Sequence, residues 1–194
     1  MTARADRILP AVLLVLMPGP GIAATLSVNE LMGMLSGTES STASFVETKH
    51  SALLKTPLLL RGTLAYRRPD WLEKHVIHPY DERIILDRGR LTIDNRSRNR
   101  KTTLSVAAAP VLAALVESIR ATRAGDLPAL ESHYEVKVDG HRGKWSINLK
   151  PLDTQVAEHV SAVTVSGAAA RIVRIEVQET SGDRAVMDIS EEIK

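Results

Sequence analysis

Apolar residues recur at every second position along most of this chain, and that period, interrupted by one long helical stretch, confines it to a largely antiparallel β-structure. Between Leu58 and Arg68, the side chains of Leu58, Leu60, Leu64, Tyr66 and Arg68 share one face, and those of Leu59, Arg61, Thr63, Ala65 and Arg67 share the other. Upstream, Ala43, Phe45, Glu47 and Lys49 oppose Ser44, Val46 and Thr48. Further strands are predicted over 72–77, 82–86, 90–94, 134–138, 144–149, 160–166, 172–179 and 185–190, about nine or ten in all. Pro69-Asp70, Asp87-Arg88-Gly89 and Asp139-Gly140 supply turns between them. In 172–179, Val173, Ile175 and Val177 alternate with Arg174, Glu176 and Gln178, which predicts one wet face.

Two segments carry a helical period instead. Residues 28–35 place Leu31, Met32 and Leu35 on one side, with Gly37 as a stop. Residues 107–123 hold Pro110 near the start, followed by a wide apolar stripe of Val111, Leu112, Leu115, Val116 and Ile119. A short helical piece at 127–131 follows. Between the two halves, RSRNRK at 96–101 is predicted as a basic loop, either simply solvated or steering toward anionic head groups or an acidic partner. No internal repeat or linker divides the chain, so 25–194 is expected to be a single domain.

Residues 1–24 read as a secretory signal peptide: Arg4 and Arg7 precede an apolar run from Ile8 to Met17, and Ala23 and Ala24 supply the small residues of a cleavage site. Pro10, Pro18 and Pro20 argue against a buried helix there. The chain has no cysteine, hence no disulfide framework and no thiol for lipid attachment. The whole sequence carries a formal net charge of +2, and loss of Arg4, Arg7 and Asp6 with the leader lowers it by one. So even a balance does not suit a nucleic-acid binder. A soluble periplasmic monomer is expected.

Catalytic constellations are missing. The sequence holds no nucleophile elbow, phosphate-binding loop or zinc-protease helix. His75 and His78 are spaced to point to opposite faces of a strand, which spoils joint metal ligation. His50, His133, His141 and His159 are scattered among polar residues. The carboxylate pairs Asp81-Glu82 and Glu191-Glu192 read as solvated charges. No enzymatic activity, metal or cofactor is expected.

The stretch GTLAYRRPDWLEKHVIHPYDERIILDRGRLTID, residues 62–94, resembles the outer-membrane lipoprotein carrier family (LolA-like). The resemblance rests on Gly62, Arg68-Pro69, Pro79, Glu82 and Asp87-x-Gly89 in order, with ASFVETKH at 43–50 similar to the family's strand after its first helix. It implies a mainly β fold with some α: an incomplete, strongly curved antiparallel β-barrel covered by lid helices. It also implies a periplasmic carrier that shelters the acyl chains of a lipoprotein or lipid-like client, taken from an inner-membrane exporter and passed to an outer-membrane acceptor. By position, Arg68 is the residue implied to sit beneath the lid and hold it shut through helix carbonyls. The implied cavity is lined by Phe45, Leu58, Leu60, Leu64 and Tyr66 from the sheet, with Val111, Leu112, Leu115 and Ile119 from the lid. With one Phe, two Trp and three Tyr in the chain, that lining is expected to be largely aliphatic. Patterning leaves open a carrier dedicated to a small lipid-like product, and a structural or sensory module whose sheet is filled by its own helices, because the wall of a cavity and the wall of a solid core alternate identically.

Overall fold

A computed structural model describes residues 25–191, so the leader predicted at 1–24 lies outside the described residues. The strands are β1 (Ser40–His50), β2 (Leu58–Arg67), β3 (Trp71–His78), β4 (Glu82–Asp87), β5 (Arg90–Asn95), β6 (Arg100–Ser105), β7 (Tyr134–His141), β8 (Lys144–Pro151), β9 (Val160–Ala168), β10 (Arg171–Glu179) and β11 (Arg184–Glu191). All belong to one antiparallel sheet in the order β6-β5-β4-β3-β2-β1-β11-β10-β9-β8-β7. Each half of the chain is a meander, and the halves join where β11 returns to β1, with Ile189 opposite Phe45. Strands β6 and β7 are the two edges of the sheet, so the barrel is incomplete.

Four helices accompany the sheet: α1 (Val28–Ser36), α2 (Pro110–Ala124), α3 (Leu127–Glu131) and α4 (Thr154–Ala157). Helix α1 starts on a capping box in which Ser27 and Glu30 satisfy each other's backbone N–H groups, and it buries Leu31, Met32 and Leu35. Helix α2 touches both β3 and β9. Those strands are five pairing steps apart, about 24 Å across a flat sheet, whereas a helix with its side chains is only about 10–12 Å wide. The sheet must therefore curl around α2. Gly62 lies in the part that bends: the ladder shifts register between Arg61 and Gly62, and a Cβ there would come within 1.8 Å of the His75 carbonyl oxygen. The concave face holds the core, including Phe45, Leu60, Leu64, Trp145, Ile147, Leu149, Val163 and Val165.

Several expectations are corrected. Strand β6 covers part of the predicted basic loop. Its residues are nearly all exposed, so a sheet edge without an apolar face lacks the signal that period-two reading needs. Asp139-Gly140 is not the turn; β7 runs on to His141 and the chain reverses at Arg142-Gly143. Gly140 is instead a ladder position at φ +101° opposite Trp145, where a Cβ would lie 2.3 Å from the Lys144 carbonyl oxygen. In β10 a register shift between Ile172 and Arg174 turns Ile172 inward and leaves Val173 exposed, so the strict alternation fails there. Strand β2 ends at Arg67, one residue before the arginine expected to close its apolar face. Helix α4 is a single turn capped by Asp153, too short for a periodic signal.

Candidate functional site

The candidate site is the space between the concave sheet and α2. Hydrophobicity alone would bury the aliphatic first half of α2 and expose its polar second half, but the packing is reversed. Val111, Leu112, Leu115, Val116 and Ile119 are only partly buried, whereas Ser118, Arg120, Ala121, Thr122, Arg123 and Ala124 are buried. Two arginines make this possible.

Arg120 spends its guanidinium on four oxygen atoms of three groups. Nε donates to both Glu117 oxygens at 3.0 and 2.8 Å, Nη2 donates to Glu117 Oε1 at 2.5 Å and to Asp126 Oδ2 at 3.2 Å, and Nη1 donates to the Pro69 carbonyl at 3.0 Å. The Glu117 hydrogen bond is the main reason its proton is held more tightly than usual, against the opposing effect of burial. Arg123 donates from Nε to Ser41 Oγ at 3.1 Å and from Nη1 to the Ala170 carbonyl at 2.8 Å. One arginine thus grips the turn between β2 and β3, the other the start of β1 and the turn between β9 and β10. The C-terminal half of α2 is pinned to both sides of the curled sheet. Sequence reading passed over both residues; the usable signal was the i,i+3 spacing of Glu117 and Arg120 on a helix, which brings a carboxylate to the guanidinium.

Under this pinned half, Leu64, Tyr66 and Ile119 border a gap of about 40 Å³, with Leu72, Ile172 and Ile175. The Tyr66 hydroxyl is buried there without a hydrogen-bond partner among the described residues. Burial pushes its ionisation above the ordinary tyrosine range, while Arg68, Arg120 and Arg123 pull the other way. Two larger clefts border the N-terminal half of α2. One, of about 330 Å³, lies against Leu86, Val106, Ala113, Ala114 and Val156. The other, of about 350 Å³, lies against Val111, Leu115, Val160 and Val177. Tyr134 fixes the helix between them by donating its hydroxyl to the Ala114 carbonyl at 2.8 Å, and burial pushes that hydroxyl up to about 12.

The implied cavity residues divide among these spaces. Leu64, Tyr66 and Ile119 meet at the gap; Val111 and Leu115 line one cleft; Leu112 lines none of the three. Phe45 and Leu60 are fully packed in the core, and Leu58 rests on it partly buried. Arg68 is exposed at the rim rather than beneath α2, and its Nη1 donates to the carbonyl of Ser36, the last residue of α1. Sequence reading also passed over a buried pair on the concave wall: Lys74 Nζ lies 2.5 Å from Glu47 Oε2, with Glu47 5% exposed. Burial lowers the affinity of Lys74 for its proton, partly offset by Glu47. His75 Nε2 lies 2.9 Å from Asp81 Oδ1 while His78 is exposed, and among the described residues no three His, Asp or Glu side chains could together hold a metal.

An aliphatic lid helix over a curled, unclosed antiparallel sheet agrees with the family comparison: the family described as "Outer membrane lipoprotein carrier protein LolA-like" matches residues 20–189. The chain belongs to this LolA-like family. No curated protein matches it. Among solved structures, this LolA-like chain is similar to a LolA superfamily protein from Nitrosomonas europaea at 11% identity and a TM-score of 0.48, covering 87% of this chain and 94% of that one. A DUF1329 family protein from Desulfovibrio piger is similar at 10% identity and a TM-score of 0.47, covering 84% and 88%. The MucA/MucB complex of Pseudomonas aeruginosa includes a chain similar at 11% identity and a TM-score of 0.41, covering 84% of this chain and 55% of that one. Among the described residues of the LolA-like chain, no helix is long and apolar enough to cross a membrane.

Proposed function

We propose that this protein is a non-catalytic periplasmic carrier that covers the acyl chains of a lipoprotein or lipid-like client between an inner-membrane donor and an outer-membrane acceptor. The observation that carries this reading is the inverted burial of α2. Four aliphatic side chains on its first half, Val111, Leu112, Leu115 and Val116, remain partly in water, beside clefts within the size range of small-molecule sites. Its polar half is the part nailed down. A helix pinned firmly at one end and under-packed at the other can swing its apolar half off the sheet without breaking the arginine bonds, losing the single Tyr134–Ala114 hydrogen bond. An entering acyl chain then replaces water on both surfaces, worth about 0.8 kcal/mol for each methylene buried. The gap of about 40 Å³ beneath the pinned half is too small for such a chain, so this is the closed form of the carrier.

The small gap also favours a second reading, a sheet filled by its own helices with no client. Native mass spectrometry on protein purified gently from the periplasm, followed by titration with an apolar fluorescent dye, separates the two. A bound amphiphile, or saturable dye uptake, supports the carrier. A bare mass together with no dye binding refutes it and leaves the filled module.

A further inference from the structure

The concave face continues from the lid toward the free edge of the sheet, through Glu82 and Ile84 of β4, Ile93 and Asn95 of β5, and Arg100 and Thr102 of β6. Pairing across these strands sets Glu82 opposite Asn95 and Asn95 opposite Arg100, and in the next row Ile84 opposite Ile93 and Ile93 opposite Thr102. This second row extends directly from Lys74 and Leu64. The result is a groove of about 380 Å³ with Ile93 and Leu104 in its lining and Arg98 and Arg100 beside them.

The basic side chains at this groove are presented by an ordered support. The turn Arg96–Arg98 is capped by Asn95, whose side chain accepts from the Arg98 N–H at 3.0 Å. The turn is tied to the segment before β4 because the Arg96 N–H donates to the Asp81 carbonyl at 3.0 Å and the Asp81 N–H donates to Ser97 Oγ at 2.8 Å. Glu82, the nearest acid in the groove, is already engaged by Asn95 Nδ2 at 2.8 Å. Among the described residues, neither the Arg98 nor the Arg100 guanidinium has a carboxylate partner within ion-pair distance. Guarding an edge strand explains charge on β6 in general, but Lys101 on the opposite face does that equally well. It does not explain why Arg100 lies in the concave row, next to a strip of aliphatic surface leading toward the lid.

We propose that this groove is the headgroup site of the client: the carried molecule is an anionic amphiphile whose phosphate or carboxylate sits on Arg98 and Arg100 while its acyl chain runs along Ile93 and Ile84 toward α2. This rests on the carrier reading and narrows its client to an acid. Paired guanidinium donors suit a planar carboxylate or a phosphate through charge-assisted hydrogen bonds.

The test uses the full mature chain and two fluorescent probes of equal chain length, a long-chain fatty acid and its uncharged methyl ester. The wild type is expected to prefer the acid by about tenfold or more, and the Arg98→Gln/Arg100→Gln double variant to lose that preference while binding the ester within about twofold of wild type. Both residues are exposed, so the thermal transition should not move. If wild type and variant bind acid and ester alike, the headgroup site is overturned and the carrier stands. If neither probe binds the wild type while the apolar dye does, the headgroup site is overturned and the carrier stands; if the dye is refused as well and the mass is bare, the carrier reading itself fails. Sedimentation with vesicles rich in anionic phospholipid supplies the remaining arm: loss of vesicle binding in the variant, with the single-molecule preference intact, would mean that the arginines face a membrane surface, which also overturns the proposal.

Discussion

Replacing Arg120 with Met should loosen the lid before it loosens the sheet. The substitution keeps most of the buried stem and deletes a guanidinium whose side chain is 10% exposed and which bonds Glu117, Asp126 and the Pro69 carbonyl. Breaking a fully buried charge pair costs roughly 3–5 kcal/mol because the surviving partner is left charged and dry. Here the survivors are wetter, with side-chain exposures of 25% for Glu117 and 38% for Asp126, so about 2–3 kcal/mol is expected. Because the Pro69 bond crosses from helix to sheet, the loss should appear in local opening of α2. Amide hydrogen exchange followed by mass spectrometry should show α2 peptides exchanging about 30- to 150-fold faster, with peptides of β8 and β9 unchanged. Unchanged α2 exchange would refute the clamp. Equal acceleration of helix and sheet would also refute it, because Arg120 would then support the whole fold and not the lid.

Other consequences follow from the same surfaces. Glu47→Gln should destabilise the fold by about 2–3 kcal/mol in urea unfolding by leaving Lys74, whose side chain is 20% exposed, without its carboxylate, whereas Glu47→Leu with Lys74→Leu should come out near neutral or better; an equal loss in both would show that the cost is one of packing. Tyr134 keeps its proton in the folded protein up to about 12 against an ordinary 10, so its contribution is complete below pH 10 and is lost as pH rises through about 12. Alkaline unfolding should therefore be shallower in Tyr134→Phe, and an unaltered pH profile would count against that burial. Arg68→Leu removes an exposed contact to the end of α1 and should change the free energy of unfolding by no more than about 1 kcal/mol; if Arg68 nonetheless holds the closed form, client release should quicken, and unchanged transfer between carrier and acceptor would dismiss that role.

Most of the architecture was legible because strands and helices announce themselves through local period. The alternation in β2, with Leu60, Leu64 and Tyr66 inward, and the stripe on α2 from Val111 to Ile119 needed no partner to be seen. Edge strand β6 and one-turn α4 were invisible for the same reason: neither carries an apolar face long enough to repeat. The candidate site was legible only in part. Leu64, Tyr66, Val111, Leu115 and Ile119 do border spaces between helix and sheet, but the arginine singled out at the end of β2 sits on the rim, and those that pin α2 were overlooked.

Sequence alone determined which side chains share a face, and hence that a sheet with one apolar side would need helices to cover it. It could not decide how much of α2 would be covered. That depends on where the curl of the sheet brings the turns at Pro69 and Ala170 relative to Arg120 and Arg123, residues distant along the chain. Burial of a guanidinium is unfavourable until such carbonyls arrive to meet it, and only the tertiary structure supplies them. The same geometry decided that Arg98 and Arg100 line a groove on the concave side, a placement set by cross-strand register and not by any local pattern.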